Sequence, residues 1–225
     1  MDVLGVDACG KQGWVGIRVT DGAYAGSLVD VRLDALIRRA AGVEVIAVDM
    51  PLGLVERGWR AADLGARALL GVRRSSVFLV APRQAWRESG YEAAGDRCHE
   101  LTGQRLSRQA WALAPKLLEA RECWLADERI HEVHPEISFR ALAGGVPLEY
   151  AKKTWRGQNA RRALLAAAGL VVPDELGEAD RVPADDVLDA AAAAWSAHRI
   201  ALGISDRIPE APELDAEGRV VEIRY

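Results

Sequence analysis

The chain has 225 residues, half of them hydrophobic, with 29 Lys/Arg against 33 Asp/Glu and a formal charge of −4. A chain of this length buries roughly 70% of its unfolded surface without disulfides or a structural metal, and its charge balance excludes a uniformly basic nucleic-acid coat and an acidic disordered tail. Three dispersed cysteines (Cys9, Cys98, Cys123), acids near the start and no apolar run approaching ~20 residues predict free thiols in a cytoplasmic protein with no membrane partner.

The first apolar run, Val3–Ala8, predicts a strand; Gly10, Gln12 and Gly13 turn it into a second, Trp14–Thr20, and Asp21-Gly22 into a third, Tyr24–Val31. Leu33–Ala41 has helical spacing and stops at Gly42. Val43–Val48 is β-branched like a buried parallel strand, and Asp49-Met50-Pro51 closes it. Residues 52–129 then read as a mainly helical insertion. It holds a helix over Arg60–Leu70, a Ser89/Glu92 capping box opening a helix to about Leu101, and a long helix over Ser107–Ala126 interrupted or kinked near Pro115. A short strand, Arg129–Val133, leads to helices Ile137–Leu142 and Gly157–Ala168, then to a strong helix, Pro183–Leu202. The proline- and acid-rich 205–217 reads as a surface loop, and Arg219–Tyr225 as a last alternating strand. The expected product is one α/β domain over 1–225. Its five-stranded mixed sheet runs in the order 3-2-1-4-5, with helices on both faces.

Charge is unevenly placed. Between Arg57 and Arg121 twelve basic residues face six acids, an excess of +6 that leaves −10 for the remainder. A second basic run, Lys152, Lys153, Arg156, Arg161 and Arg162, has no acid between Glu149 and Asp174. Solvated helix faces would explain such clusters, but a basic middle in an acidic frame also suits a protein that holds phosphates beside carboxylates. On that reading the insertion caps the site and its arginines hold the phosphates of a nucleic acid.

The carboxylates are more specific. Strand alternation puts Val3, Gly5 and Asp7 on one face, and Asp49 follows Val45 and Ala47 on the same face of the other apolar strand. If the two strands lie side by side and parallel, both acids emerge at one sheet edge, where open α/β sheets bind ligands. Asp186 and Asp189, three apart in an alanine-rich helix, stack on one face, with Asp185 directed elsewhere. Helix-dipole stabilisation accounts for Asp185 and Asp186 without any function, but Asp189 lies too deep in the helix for it. Such a set points to a divalent ion bound by hard oxygens, Mg²⁺ or Mn²⁺.

This layout resembles the RNase H-like fold, nearest to the bacterial Holliday-junction resolvase branch. Gly5-Val6-Asp7 with Gly13-Trp14, Val48-Asp49-Met50-Pro51-Leu52-Gly53-Leu54 and Arg60-x-x-Asp63-x-x-x-Arg67 carry a closer likeness. So do Gly71 with Arg73-Arg74-Ser75-Ser76-Val77-Phe78, Ala81-Pro82-Arg83, Glu132 to Phe139, and Ala184 to Ala190. Together these are similar to the family called domain of unknown function 429, whose members are regarded as predicted nucleases of RNase H-like fold. The resemblance implies that Asp7, Asp49, Asp186 and Asp189 bind metal and carry catalysis. In the two-ion arrangement it implies, Asp7 bridges the ions, with Asp49 on one side and Asp186 and Asp189 on the other. The insertion is far longer than in the resolvases, so their DNA-binding surface does not transfer.

Glu132 and Glu136, flanking His134-Pro135, are further ligand or general-base candidates, with a turn and a capping acid the simpler account of Glu136. His131 and His134 with Cys98 or Cys123 do not match zinc spacing. Ser75 and Ser76 have no recognisable base, so with Arg67, Arg73, Arg74, Arg83, Lys152 and Lys153 they are expected to contact substrate phosphates. Two rival functions stand beside the nuclease. One is a catalytically silent module binding nucleic acid or protein; the other is an actin- or sugar-kinase-like ATPase, disfavoured because the chain lacks a second Asp-Gly hairpin.

Overall fold

A computed structural model describes residues 1–225. Three antiparallel-linked strands open it: β1 (Asp2–Ala8), β2 (Trp14–Thr20) and β3 (Ala23–Asp30). After helix α1 (Leu33–Arg39) the chain adds β4 (Val45–Val48) parallel to β1. The insertion follows as α2 (Ala61–Leu70), α3 (Tyr91–Thr102), α4 (Arg108–Ala112) and α5 (Ala114–Ala126). Strand β5 (Ile130–Glu132) pairs parallel with β4, which gives the sheet order β3-β2-β1-β4-β5 expected from the sequence. Helices α6 (Pro135–Leu142), α7 (Trp155–Ala167) and α8 (Ala184–Ala201) precede a separate two-stranded sheet of β6 (Arg207–Leu214) and β7 (Val220–Arg224). No helix is long and apolar enough to cross a membrane.

The period-two pattern of β1 sorts its side chains into two cores. Leu4 and Val6 join Ile46, Val48 and Ile130 on the face covered by α1 and the insertion. Val3 joins Val45 and Ala47 on the face covered by α8 and α7. The insertion is therefore no detached cap: Trp86, Ala94, Cys98, Leu106, Leu117 and Trp124 belong to the first core. Each large apolar side chain buried there contributes about 1.5–3 kcal/mol.

Helix α8 lies unusually close to the sheet. Its buried stripe is alanine, from Ala190 through Ala194 to Ala197, which costs no side-chain entropy and keeps the helix narrow. The strand makes the matching concession at Gly5, where a Cβ atom would stand 1.9 Å from the Ala194 nitrogen and 2.2 Å from the Ala190 oxygen. This approach brings the acidic first turns of α8 to the end of β1.

Several local expectations are corrected. Residues 205–217 are not a loop, because β6 occupies most of them. Its ladder with β7 is interrupted between Ile208 and Glu213, so Pro209 and Pro212 sit where no ladder hydrogen bond is required. The Ser89/Glu92 capping box does not form; α3 starts after Gly90 with no side-chain cap. By contrast, the interruption expected near Pro115 is present: Ser107–Ala126 divides into α4, capped by Ser107, and α5, with Pro115 in its first turn, where the missing N–H is harmless. Gly71–Ser76, the segment bearing Arg73 and Arg74, is a 3₁₀ turn.

Candidate metal centre

The parallel register of β1 and β4 pairs Val6 with Val48, so both strands end together. The next residues, Asp7 and Asp49, share one sheet edge, and the Asp49 amide donates to the Val6 carbonyl at 2.9 Å. Alternation turns both side chains to the α8 face. There Asp189, in the second turn of α8, meets them: one oxygen from each of Asp7, Asp49 and Asp189 lies within 4.8 Å of the others. Asp7 and Asp189 are buried and Asp49 is half-buried. Asp186 lines the same cleft but is outside this group of three. Asp185 is not directed away; it is buried, with Lys152 and Lys153 each 4.0 Å from its Oδ2.

Three carboxylates this close, taken from water, resist ionisation. Burial, followed by repulsion from Asp49 and Asp189, raises the Asp7 pKa well above the ordinary carboxylate range. Burial pushes Asp49 and Asp189 up to about 7, against the opposing pull of the Lys152 ammonium. Lys152 donates to Asp189 Oδ2. Asp7 Oδ1 accepts the Ala8 amide at 2.7 Å. Asp189 Oδ1 is buried without a hydrogen-bond partner, a vacancy that costs about 1–3 kcal/mol or more for a charged group. Converging hard oxygens, an unpartnered buried acceptor and repelling charges fit a metal ion, and this triad can hold one.

The triad lies in a cleft of about 600 Å³. Arg73, Ser75, Ser76, Lys152 and Lys153 line it, as expected of phosphate-binding groups, together with an apolar strip of Met50, Phe78 and Leu113. Arg67, Arg74 and Arg83 do not line it. Arg83 is bound instead to Glu217 at 2.5 Å, and Arg74 is exposed. The insertion's excess charge is largely spent on pairs within the chain. Arg60 holds Glu132, Arg73 holds Glu136, Arg83 holds Glu217, and Arg121 holds Asp215 and Glu217, all acids outside the insertion; Arg97, Arg105 and Arg108 pair with acids inside it.

Glu132 departs from its expected role. Alternation in β5 puts it with Ile130 on the insertion side of the sheet, opposite the acid triad. Both of its oxygens accept from Arg60, and Oε2 also accepts the Leu52 amide at 2.8 Å. Arg60, 1% exposed, also binds Asp63 at 2.6 Å and the Gly53 carbonyl at 2.9 Å. Asp63 Oδ2 in turn accepts the Val80 amide at 2.9 Å. This network lines the cleft with the triad, and it engages both Glu132 oxygens, which are not among the three that converge.

Sequence reasoning assigned no role to Arg60 and Asp63, although an i,i+3 Arg/Asp pair between apolar positions marks a buried ion pair. His134 and Glu136, the latter a ligand or base candidate from the sequence, also line the cleft. Glu136 accepts from Arg161 at 2.5 Å and from Arg73 at 3.4 Å. His134 Nδ1 accepts the Glu136 amide at 3.2 Å, so Nε2 carries the proton and faces the Ser76 carbonyl at 3.4 Å. Burial lowers the His134 pKa, which favours this neutral form.

Comparison with known families gives one match: the model described as "Protein of unknown function (DUF429)" covers residues 5–214. The chain belongs to this family. The match runs from the middle of β1 to the end of β6, so it takes in all three acids of the triad and the whole insertion. No curated protein and no solved structure matches the chain.

Proposed function

We propose that the protein is a divalent-metal-dependent hydrolase of phosphodiester bonds in nucleic acid, with Mg²⁺ or Mn²⁺ as its cofactor. The observation that carries this reading is the convergence of Asp7, Asp49 and Asp189, one with an unpartnered buried oxygen, in a cleft that Arg73, Lys152 and Lys153 also line. Asp7, Asp49 and Asp189 would hold the metal, and a bound ion supplies Lewis-acid polarisation of the phosphoryl oxygen and acidification of a water.

The chain's own groups bind and orient. Arg73 and Lys153 line the cleft with the triad and offer donors for phosphate oxygens. Ser75, exposed at the mouth, offers a further hydroxyl, whereas the Ser76 hydroxyl donates to the Arg73 carbonyl at 2.8 Å. Met50, Phe78 and Leu113 give a base or sugar an apolar surface. Neither serine has a base within hydrogen-bond reach, so the reading assigns the attack to water rather than to a side chain.

The test is cleavage of single-stranded, duplex, hybrid and branched nucleic acids with Mg²⁺ or Mn²⁺. Metal-dependent cleavage that disappears in Asp7→Asn is the expected result. Cleavage that survives both Asp7→Asn and chelation would refute the metal centre. No cleavage of any substrate would favour the silent binding module.

A further inference from the structure

The acid triad already has a cation of its own. Lys152 donates to Asp189 and reaches within 4.0 Å of Asp185. It is not a freely swinging surface lysine, because its loop is fastened at both ends. Thr154 caps α7 by accepting the Gly157 amide at 3.1 Å, and donates back to the Ala151 carbonyl at 2.8 Å. Gly157 permits the fold-back: a Cβ there would stand 2.0 Å from the Ala151 oxygen. On the other side the fully buried Arg161 donates to the Tyr150 carbonyl at 3.1 Å while it holds Glu136.

Charge and geometry limit what else the site accepts. Three carboxylates less one ammonium leave two negative charges, which a single divalent ion cancels. A second divalent ion beside Lys152 would leave the cluster with a net charge of +1 even with Asp186 counted. The donors match one ligand shell as well. Metal–oxygen bonds of about 2.1 Å put opposite ligands about 4.2 Å apart, and the three donor atoms lie within 4.8 Å. Asp186, which a second ion would need, stands outside the group.

We infer that the centre takes one divalent ion, and that Lys152 stands where a second would be, neutralising Asp189 and facing the cleft. This rests on the metal-dependent reading above, and it differs from the two-ion arrangement that the sequence resemblance implies. Lys152 is then a positioned counter-charge on the substrate side, with the fastened loop setting its place.

The experiment is calorimetric titration of Mn²⁺ into metal-free wild type, Lys152→Arg and Lys152→Met, with electron paramagnetic resonance of the loaded proteins and circular dichroism to verify folding. Wild type and Lys152→Arg should bind one ion and show the resolved spectrum of isolated Mn²⁺. Lys152→Met should bind two, with an exchange-broadened spectrum. Two ions in wild type, or one in a folded Lys152→Met, would overturn the inference while leaving a metal-dependent hydrolase standing. If Lys152→Met does not fold, the wild-type and Lys152→Arg stoichiometries decide alone. No Mn²⁺ bound by wild type would instead remove the metal reading itself.

Discussion

Replacing Asp49 by asparagine should stabilise the metal-free protein. Asp49 is pushed from 3.8 to about 7 in the folded state, chiefly by burial. Three pKa units at about 1.4 kcal/mol each put the cost of keeping it ionised at about 4 kcal/mol at most. The folded-state pKa lies above the unfolded one, so the folded protein binds the extra proton between about pH 4 and 7. The Asp49 contribution to the stability of the metal-free wild type therefore falls as pH rises through that window, opposed below about pH 6.5 by His131 and His134, whose pKa values burial lowers. Asp189, also at about 7, adds to the same slope. Asparagine keeps the shape without the charge, so urea unfolding at pH 8 in chelator should show Asp49→Asn more stable by roughly 1–4 kcal/mol, the gap closing towards pH 4. Saturating Mn²⁺ should reverse the order, since a ligand at 100 times its Kd adds about 2.7 kcal/mol to the protein that binds it. Asp49→Asn that is neutral or destabilising at pH 8 in chelator would refute the claim that the triad is held together against its own repulsion.

Gly5→Ala should cost about 3 kcal/mol or more, because its Cβ meets backbone atoms of α8 rather than a movable side chain; a loss below about 0.5 kcal/mol in urea unfolding would mean that α8 does not lie as described. Arg60→Ala should cost about 3–5 kcal/mol by stranding Glu132 and Asp63 as buried charges, read from the same unfolding curves. Glu132→Gln should lower stability yet leave Mn²⁺ affinity within a few-fold of wild type; abolished Mn²⁺ binding in a folded Glu132→Gln would return Glu132 to the metal site.

The central sheet was legible because its strands are short, apolar and separated by turn residues, and alternation then aimed Asp7 and Asp49 correctly. The helix acids were only half legible. A 3.6-residue period puts i+3 and i+4 on either side of any reference position, so Asp186 and Asp185 are both neighbours of Asp189, and only the docking of α8 decides between them. The alanine stripe and Gly5 hold Asp189 on the sheet, bury Asp185 beside Lys152 and leave Asp186 at the cleft wall. Glu132 could have been separated from the triad by the same alternation, since Ile130 and Glu132 share parity and the core side of Ile130 is apolar. The strand β6 was hidden because proline and acids mimic a loop, and only its partner β7 and an interrupted ladder make it a strand.

The insertion's charge gives the sharpest contrast between composition and structure. A count of +6 predicts a strong electrostatic hold on any polyanion, but a charge already paired within the chain releases few counterions when a phosphate arrives. Arg97, Arg105, Arg108 and Arg121 all have carboxylate partners, while the basic groups lining the cleft beyond the buried Arg60 are Arg73, Lys152 and Lys153. With about −0.7 in log–log slope per phosphate contact on a single strand, two or three contacts give about −1.4 to −2.1, against about −8 if all twelve basic residues of the insertion took part. Fluorescence anisotropy with a single-stranded oligonucleotide across a salt series separates these values. Arg73→Ala should flatten the slope by about 0.7, and Arg74→Ala, exposed and outside the cleft, should leave it unchanged. A wild-type slope steeper than about −5, or an Arg74→Ala effect equal to that of Arg73→Ala, would move the phosphate-binding surface out of the cleft and onto the exterior of the insertion.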